Sequence, residues 1–162
     1  MKDAPINKSI LADALVDVVD NVRRKIHGAL GTRPWNVAIV TRTWSGSERG
    51  VGTPSVRVLE LDPAPMVSKS AKDRMGPAGR EAAGTVELTG VSLRYTEEEL
   101  NPRVDARTEV AYRITEAHGQ RQRTRWFVLA ATPVPRRDNG SDWYIILNET
   151  SAMGGLDKEN AP

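Results

Sequence analysis

The chain has 162 residues, of which 27% are charged and 39% hydrophobic, and its formal net charge is +2 at pH 7. This length and composition are typical of one folded domain that buries a core of its own. The sequence contains no Cys, which excludes disulfides, thiol nucleophiles and thiolate metal sites.

The first predicted element is an amphipathic helix at residues 9–30. Its apolar residues recur at steps of three and four, and they are Leu11, Leu15, Val18, Val22 and Ile26. Nothing on this apolar face suggests a site. The residues before the helix lack the apolar core of a signal peptide, and no apolar run reaches membrane-spanning length, so we expect neither secretion nor membrane insertion.

Strands are predicted within residues 35–148, where apolar residues begin to alternate. The first strand is WNVAIVTRTW and the second is SVRVLEL. The third, TVELTGVSLRY, changes phase at Gly90, which predicts a β-bulge. Residues 108–148 are predicted to form a three-stranded antiparallel meander, in which Asn139-Gly140 is a strong hairpin signal.

These elements predict a mainly β fold, an antiparallel barrel or sandwich of about six strands with one N-terminal helix. Residues 1–150 would form a single domain, with a long internal loop at 62–84 and a flexible tail at 151–162. Alternation within the meander predicts that one interior is lined by Val110, Tyr112, Ile114, Trp126, Val128, Trp143, Ile145 and Leu147.

The glycine-rich stretch WSGSERGVGTP at 44–54 has the composition of a phosphate-binding loop. A P-loop, however, ends in Lys followed by Ser or Thr at the start of a helix, whereas this stretch runs into Thr53-Pro54 and another strand. The spacing of its glycines also differs from the dinucleotide-binding fingerprint. We therefore interpret the stretch as a connector between strands.

No catalytic, cofactor or metal site is predicted. The TEEE run at 96–99 has capping-box spacing between Thr96 and Glu99, and three neighbouring Glu without His make a poor transition-metal site. The two histidines, His27 and His118, fall at the end of the helix and in a hairpin turn. No G-x-S-x-G motif stands between a strand and a helix.

Charge is unevenly distributed along the chain. Residues 103–137 contain eight Arg and three acidic residues, a balance of +5, whereas residues 149–162 carry −2. Arg121, Arg123 and Arg125 alternate along a predicted strand and so share one face. This row could contact phosphates or form a ladder of ion pairs with Glu109, Glu116 or a neighbouring subunit, and the ladder is favoured.

The loop at 62–84 supplies the remaining candidate contacts, Lys69, Lys72, Arg74 and Arg80. A loop this long is usually either functional or disordered. We expect it to be mobile in the free subunit.

The order of these elements resembles the neck proteins of tailed bacteriophages, in the head-completion or head-closure group that joins head to tail and is also called the stopper. The likeness covers residues 23–148. It rests on the stretches RKIHGALGTRPWNVAIVTRTWSG, GVGTPSVRVLEL and, above all, VELTGVSLRYTEEEL. The last follows the neck-protein pattern V-x-x-x-G-V-S-x-x-Y-T-E-x-x-L before a β-meander.

The resemblance implies a structural virion protein without enzymatic activity or cofactor. Such a protein would be assembled in the host cytoplasm into the neck of the virion, as a homo-oligomeric ring, a hexamer or a dodecamer. Its partners would be the portal or an adaptor protein, the tail terminator or tail tube protein, and genomic DNA passing non-specifically through the ring. The N-terminal helix is a departure from the smallest head-closure proteins, which are little more than a β-barrel.

Two other functions remain open. A tail terminator, which caps the tail tube, would need more helix packed on the sheet than the sequence predicts. A free-standing nucleic-acid-binding β-barrel would use Arg121, Arg123 and Arg125 and would bind DNA as a monomer in a salt-sensitive way.

Overall fold

The computed structural model of the chain describes residues 8–29, 35–69, 84–118, 120–136 and 142–150. The structure is mainly β with an N-terminal helix, which confirms the predicted fold class. The elements are α1 (Lys8–Ala29), β1 (Trp35–Trp44), β2 (Pro54–Glu60), β3 (Met66–Lys69), β4 (Thr85–Ser92), α2 (Glu97–Leu100), β5 (Thr108–His118), β6 (Arg121–Leu129), β7 (Val134–Arg136) and β8 (Asp142–Glu149).

The described strands form one antiparallel sheet in the order β2-β1-β5-β6-β8-β4-β3, and β7 pairs with β8. Strands β5, β6 and β8 are neighbours, as the predicted meander requires. The two edge strands, β2 and β3, are joined only by the short segment 61–65. The sheet therefore curls back on itself like a barrel but does not close.

The described residues contain eight strands where the sequence predicts about six. The additional strands are β3 and β7, which are only four and three residues long and are therefore too short to show an alternating pattern. Strand β3 lies inside the segment 62–84 that the sequence assigns to a loop, so that assignment is wrong at 66–69. Residues 70–83, the predicted turn at Asn139-Gly140 and the predicted tail at 151–162 lie outside the described residues.

The β-bulge predicted at Gly90 is present. The pairing of β4 with β8 shifts register between Leu88 and Val91, and Gly90 has a φ of 78°, which glycine adopts without steric cost. Because of this shift, Val91 returns to the core side of the sheet after Leu88. The next residue, Ser92, is buried on the opposite side, and its hydroxyl bonds to α1.

The main core lies on the inner side of the curled sheet and under α2. Its buried members are Val37, Ile39, Leu61, Val86, Leu88, Val91, Leu100, Tyr112, Ile114, Phe127, Trp143, Ile145 and Leu147. Polar atoms within it are satisfied, because the Tyr112 hydroxyl donates to the Leu100 carbonyl and Trp143 Nε1 donates to the Tyr95 carbonyl at 3.0 Å. Burial raises the pKa of the Tyr112 hydroxyl.

The predicted interior is correct for β5 and β8 and wrong for β6. Phe127 belongs to the main core, whereas Val128 is exposed and Trp126 is buried on the outer side of the sheet with Val40 and Ala111. The run WFVL contains four apolar residues in succession. It therefore has no alternation that would decide whether Trp126 and Val128 or Phe127 and Leu129 face inward.

We predict that Phe127→Ala lowers the free energy of unfolding by about 3–5 kcal/mol, because it removes a buried aromatic ring and leaves a cavity. The matched variant Val128→Ala alters the adjacent, exposed side chain and should cost about 0.5 kcal/mol or less. Urea unfolding followed by tryptophan fluorescence measures both. Equal losses for the two variants would contradict the observed side assignment of β6.

Candidate functional site

The predicted row of arginines lies on the β5–β6 hairpin. Arg121, Arg123 and Arg125 pair with His118, Glu116 and Ile114 on β5, so all three share the inner side of the sheet. Among the described strands, β6 pairs with β8 only from Phe127 to Leu129. The first half of β6 is thus paired on one side only, and the arginines lie beyond the end of the core.

Arg125 forms an ion pair with Glu149 that the sequence did not predict. Its Nε donates to Glu149 Oε1 at 2.8 Å and its Nη2 donates to Oε2 at 2.6 Å, which is the bidentate geometry of a strong guanidinium–carboxylate pair. The guanidinium also lies over the Phe127 ring, 5.2 Å from its centroid. Arg125 is therefore held in place, whereas Arg121 and Arg123 are exposed.

This ion pair alters the acidity of both partners. The hydrogen bond from Arg125 holds the pKa of Glu149 below its usual value, and nearby Arg123 lowers it further. The same hydrogen bond raises the pKa of Arg125. Glu109, which the sequence offered as a partner for the row, instead accepts from Arg42 on β1 at 2.7 Å.

The other candidate residues fall in or beside the segment between β3 and β4. The backbone of Lys69 ends β3 and pairs with Val86. Lys72, Arg74 and Arg80 lie outside the described residues. The structure therefore brings together the three arginines of β6, and it describes only the backbone of Lys69 among the four loop cations.

Two motifs with the composition of a site are structural. Residues 45–53 connect β1 to β2, as predicted, with Gly46 N–H donating to the Val51 carbonyl at 2.9 Å and with positive φ at Gly50 and Gly52. No helix follows this turn that could reinforce anion binding. Thr96 and Glu99 form the predicted capping box at the start of α2.

The feature that sequence reasoning missed is the orientation of α1. Four apolar residues of its predicted face, Leu15, Val18, Val22 and Ile26, are between 50% and 58% exposed. We call these four residues the α1 stripe. An amphipathic helix normally buries its apolar face, whereas α1 turns its apolar face away from the sheet.

Polar contacts hold α1 against the sheet. Asp20 is fully buried, and the Ser92 hydroxyl donates to its Oδ2 at 2.6 Å. On either side of this contact, Arg23 donates to the Gly90 carbonyl at 3.3 Å and Arg94 donates to Asp17. The charged side of α1 therefore faces its own subunit, and the stripe faces outward.

A second exposed apolar surface lies on the edge strand β2. Val56 and Val58 are 43% and 42% exposed, and they share a side of the strand with Glu60, whose side chain is 62% exposed. Their pairing with Arg42, Val40 and Ala38 on β1 places them on the outer side of the sheet. We call Val56, Val58 and Glu60 the outer β2 surface.

No three acidic or histidine side chains among the described residues lie close enough to hold a metal ion. No described helix is both long and apolar enough to cross a membrane. What this part of the chain presents instead is a set of surfaces: the α1 stripe, the outer β2 surface and the arginines at the β5–β6 hairpin.

No protein-family model matches the sequence, no curated protein is significantly similar to it, and no solved structure matches its fold. Function is therefore inferred from these surfaces and from the resemblance described above.

We predict that Arg125→Ala costs about 0.2–1 kcal/mol of stability at neutral pH, a small value because the ion pair is partly exposed. The pKa of Glu149 is lowered in the folded state, so the contribution of the pair is present above the ordinary carboxyl pKa of 4.5 and is lost as the pH falls through the lowered value. Denaturant unfolding of the wild type and of Arg125→Ala from pH 7 to pH 3 should show that the difference between their free energies of unfolding shrinks. Glu149→Gln is the matched control, and a pH-independent difference would contradict this account.

We also predict that Ser92→Ala weakens the attachment of α1 to the sheet, because the buried Asp20 carboxylate loses the hydrogen bond from the Ser92 hydroxyl. The nearby Arg23 and Arg94 lie farther from this carboxylate, at 3.7 and 3.8 Å. The amides of α1 should exchange with solvent roughly tenfold faster, given the cost of leaving a buried polar group unsatisfied. Ser55→Ala, at an exposed position on β2, is the control. Unchanged exchange of α1 in Ser92→Ala would show that the contact does not hold the helix.

Proposed function

We propose that this chain is a structural protein of the neck of a tailed bacteriophage, where copies of it form a ring that joins the head and portal to the tail and surrounds the DNA channel. The observation that carries the proposal is the outward-facing α1 stripe. A row of half-exposed apolar side chains on a well-formed helix is typical of a surface that another protein covers. The resemblance of residues 23–148 to head-completion proteins is the reason for proposing the phage neck as the assembly.

The distribution of charge supports a position around DNA. Arg121 and Arg123 are exposed on the β5–β6 hairpin, where phosphate groups could approach them from the unpaired side of β6. Contacts of this kind attract DNA without reading its sequence, which suits a channel through which the whole genome passes. Arg125 is already paired with Glu149, so it would not bind a phosphate group itself and would contribute only to the positive potential near the hairpin.

The remaining partners follow from the same proposal. The ring would meet the portal or an adaptor protein on the head side and the tail terminator or tail tube protein on the other. We favour the neck over the tail terminator because, among the described residues, α1 meets the sheet through polar contacts rather than as a packed helical layer. Assembly would take place in the host cytoplasm, and the mature protein would reside in the virion.

A second candidate is a nucleic-acid-binding β-barrel that acts alone, and the exposure of Arg121 and Arg123 favours it. Such a protein would bind short DNA as a monomer, with an affinity that falls as salt rises. It would have no use for the α1 stripe, which is why we place it second.

The proposal predicts that the protein is found in purified tailed particles of the phage that encodes it. Inactivation of its gene should yield DNA-filled heads and separate tails, because the joint between them is missing, and a plasmid copy of the gene should restore tailed particles. Electron microscopy and infectivity measure the outcome. Normal numbers of tailed particles without the protein would contradict a neck function, and salt-sensitive DNA binding by the monomer would then favour the second candidate.

A further inference from the structure

We propose that the α1 stripe of one subunit packs against the outer β2 surface of a second copy of this chain. The inference rests on the proposed ring and deepens it by naming the two surfaces that meet. Both expose apolar side chains in the single subunit, and they lie on different elements.

The dimensions of the two surfaces agree. From Leu15 to Ile26 the stripe runs about 16 Å along the helix axis at 1.5 Å per residue. The seven residues of β2 extend about 20 Å, at 3.3 Å from one residue to the next. A helix laid along β2 would cover Val56 and Val58 and would also shield the free edge of the sheet, which is a common way of protecting an edge strand.

The charges beside the two surfaces are complementary. Lys25 is exposed next to Ile26, at the C-terminal end of the stripe. Glu60 follows Val58 on the same side of β2, and although it accepts from Arg113 at 3.0 Å, most of its side chain remains exposed. Placing Lys25 near Glu60 sets the direction in which the helix lies along the strand. Arg42, beside Val56, is already paired with Glu109, so the other end of the surface carries no uncompensated charge.

A second copy is the occupant because one chain carries both halves of the contact. Within a subunit, the contacts from Asp20 to Ser92 and from Arg24 to Asp62 hold α1 with its stripe turned away from the sheet. The stripe therefore does not reach the outer β2 surface of its own subunit. Each copy would offer α1 to one neighbour and β2 to the other, which is the unlike pair of surfaces that a closed ring requires.

Four substitutions test the contact. Val22→Ser and Val58→Ser each weaken one apolar half, while Lys25→Glu and Glu60→Lys each place like charges together. We expect each single variant to raise the concentration at which the oligomer dissociates by at least about tenfold, and the double variant Lys25→Glu/Glu60→Lys to return it to near the wild-type value. Sedimentation and native mass measurement over a range of concentrations report the oligomer, and circular dichroism reports folding.

Val134→Ser is the matched control, since Val134 is an exposed valine on β7 that belongs to neither surface, and its substitution should change nothing. The inference would be overturned by single variants that assemble like the wild type, by a double variant no better than the singles, or by a dimer sensitive to the α1 substitutions alone, which would indicate helix–helix packing. A wild-type chain that remains monomeric at high micromolar concentration would also overturn it. None of these decides the neck proposal, which depends on the composition of particles and the phenotype of the inactivated gene.

Discussion

The buried contact between Asp20 and Ser92 decides what this molecule presents to its surroundings. A carboxylate removed from water has to be met by donors, and here the Ser92 hydroxyl lies 2.6 Å from one of its oxygens. Arg23 and Arg94 approach the same carboxylate at 3.7 and 3.8 Å. Because the side of α1 that carries Asp20 is turned inward, the four residues of the α1 stripe face outward, whereas Val16 and Val19 are half-buried.

This contact depends in turn on the bulge in β4. If Gly90 continued as regular strand instead of forming a bulge, alternation after Leu88 would place Val91 on the outer side of the sheet, and Ser92 would point into the core. The bulge is itself held from two directions, since the Gly90 N–H donates to Asp142 at 2.8 Å and its carbonyl accepts from Arg23. A single glycine thus links the register of the sheet to the orientation of the helix.

Much of this fold could be predicted from the sequence, because local patterns determine it. The alternation in β1, β5 and β8, the phase change at Gly90 and the capping box at Thr96 each depend on residues close together in the chain. Three features could not be predicted in this way. The WFVL run has no alternation, the pair Arg125–Glu149 depends on how β6 and β8 align, and the buried side of α1 depends on which strand residues lie beneath it. The last of these is decisive for function, because an amphipathic pattern shows that a helix has an apolar face but not what covers that face.

The modest size of the exposed stripe fits the proposed ring, whose subunits would have to remain soluble before they assemble. Four half-exposed side chains amount to a small patch, and a contact built on them alone would be weaker than a typical stable interface, which buries about 800 Å² on each partner. In a closed ring, however, every subunit makes the contact twice, and loss of one subunit breaks two contacts at once. A surface too weak to aggregate isolated chains can therefore hold a ring together. In the proposed ring, the charged residues would fasten α1 to its own subunit and would leave its apolar side free for a neighbour.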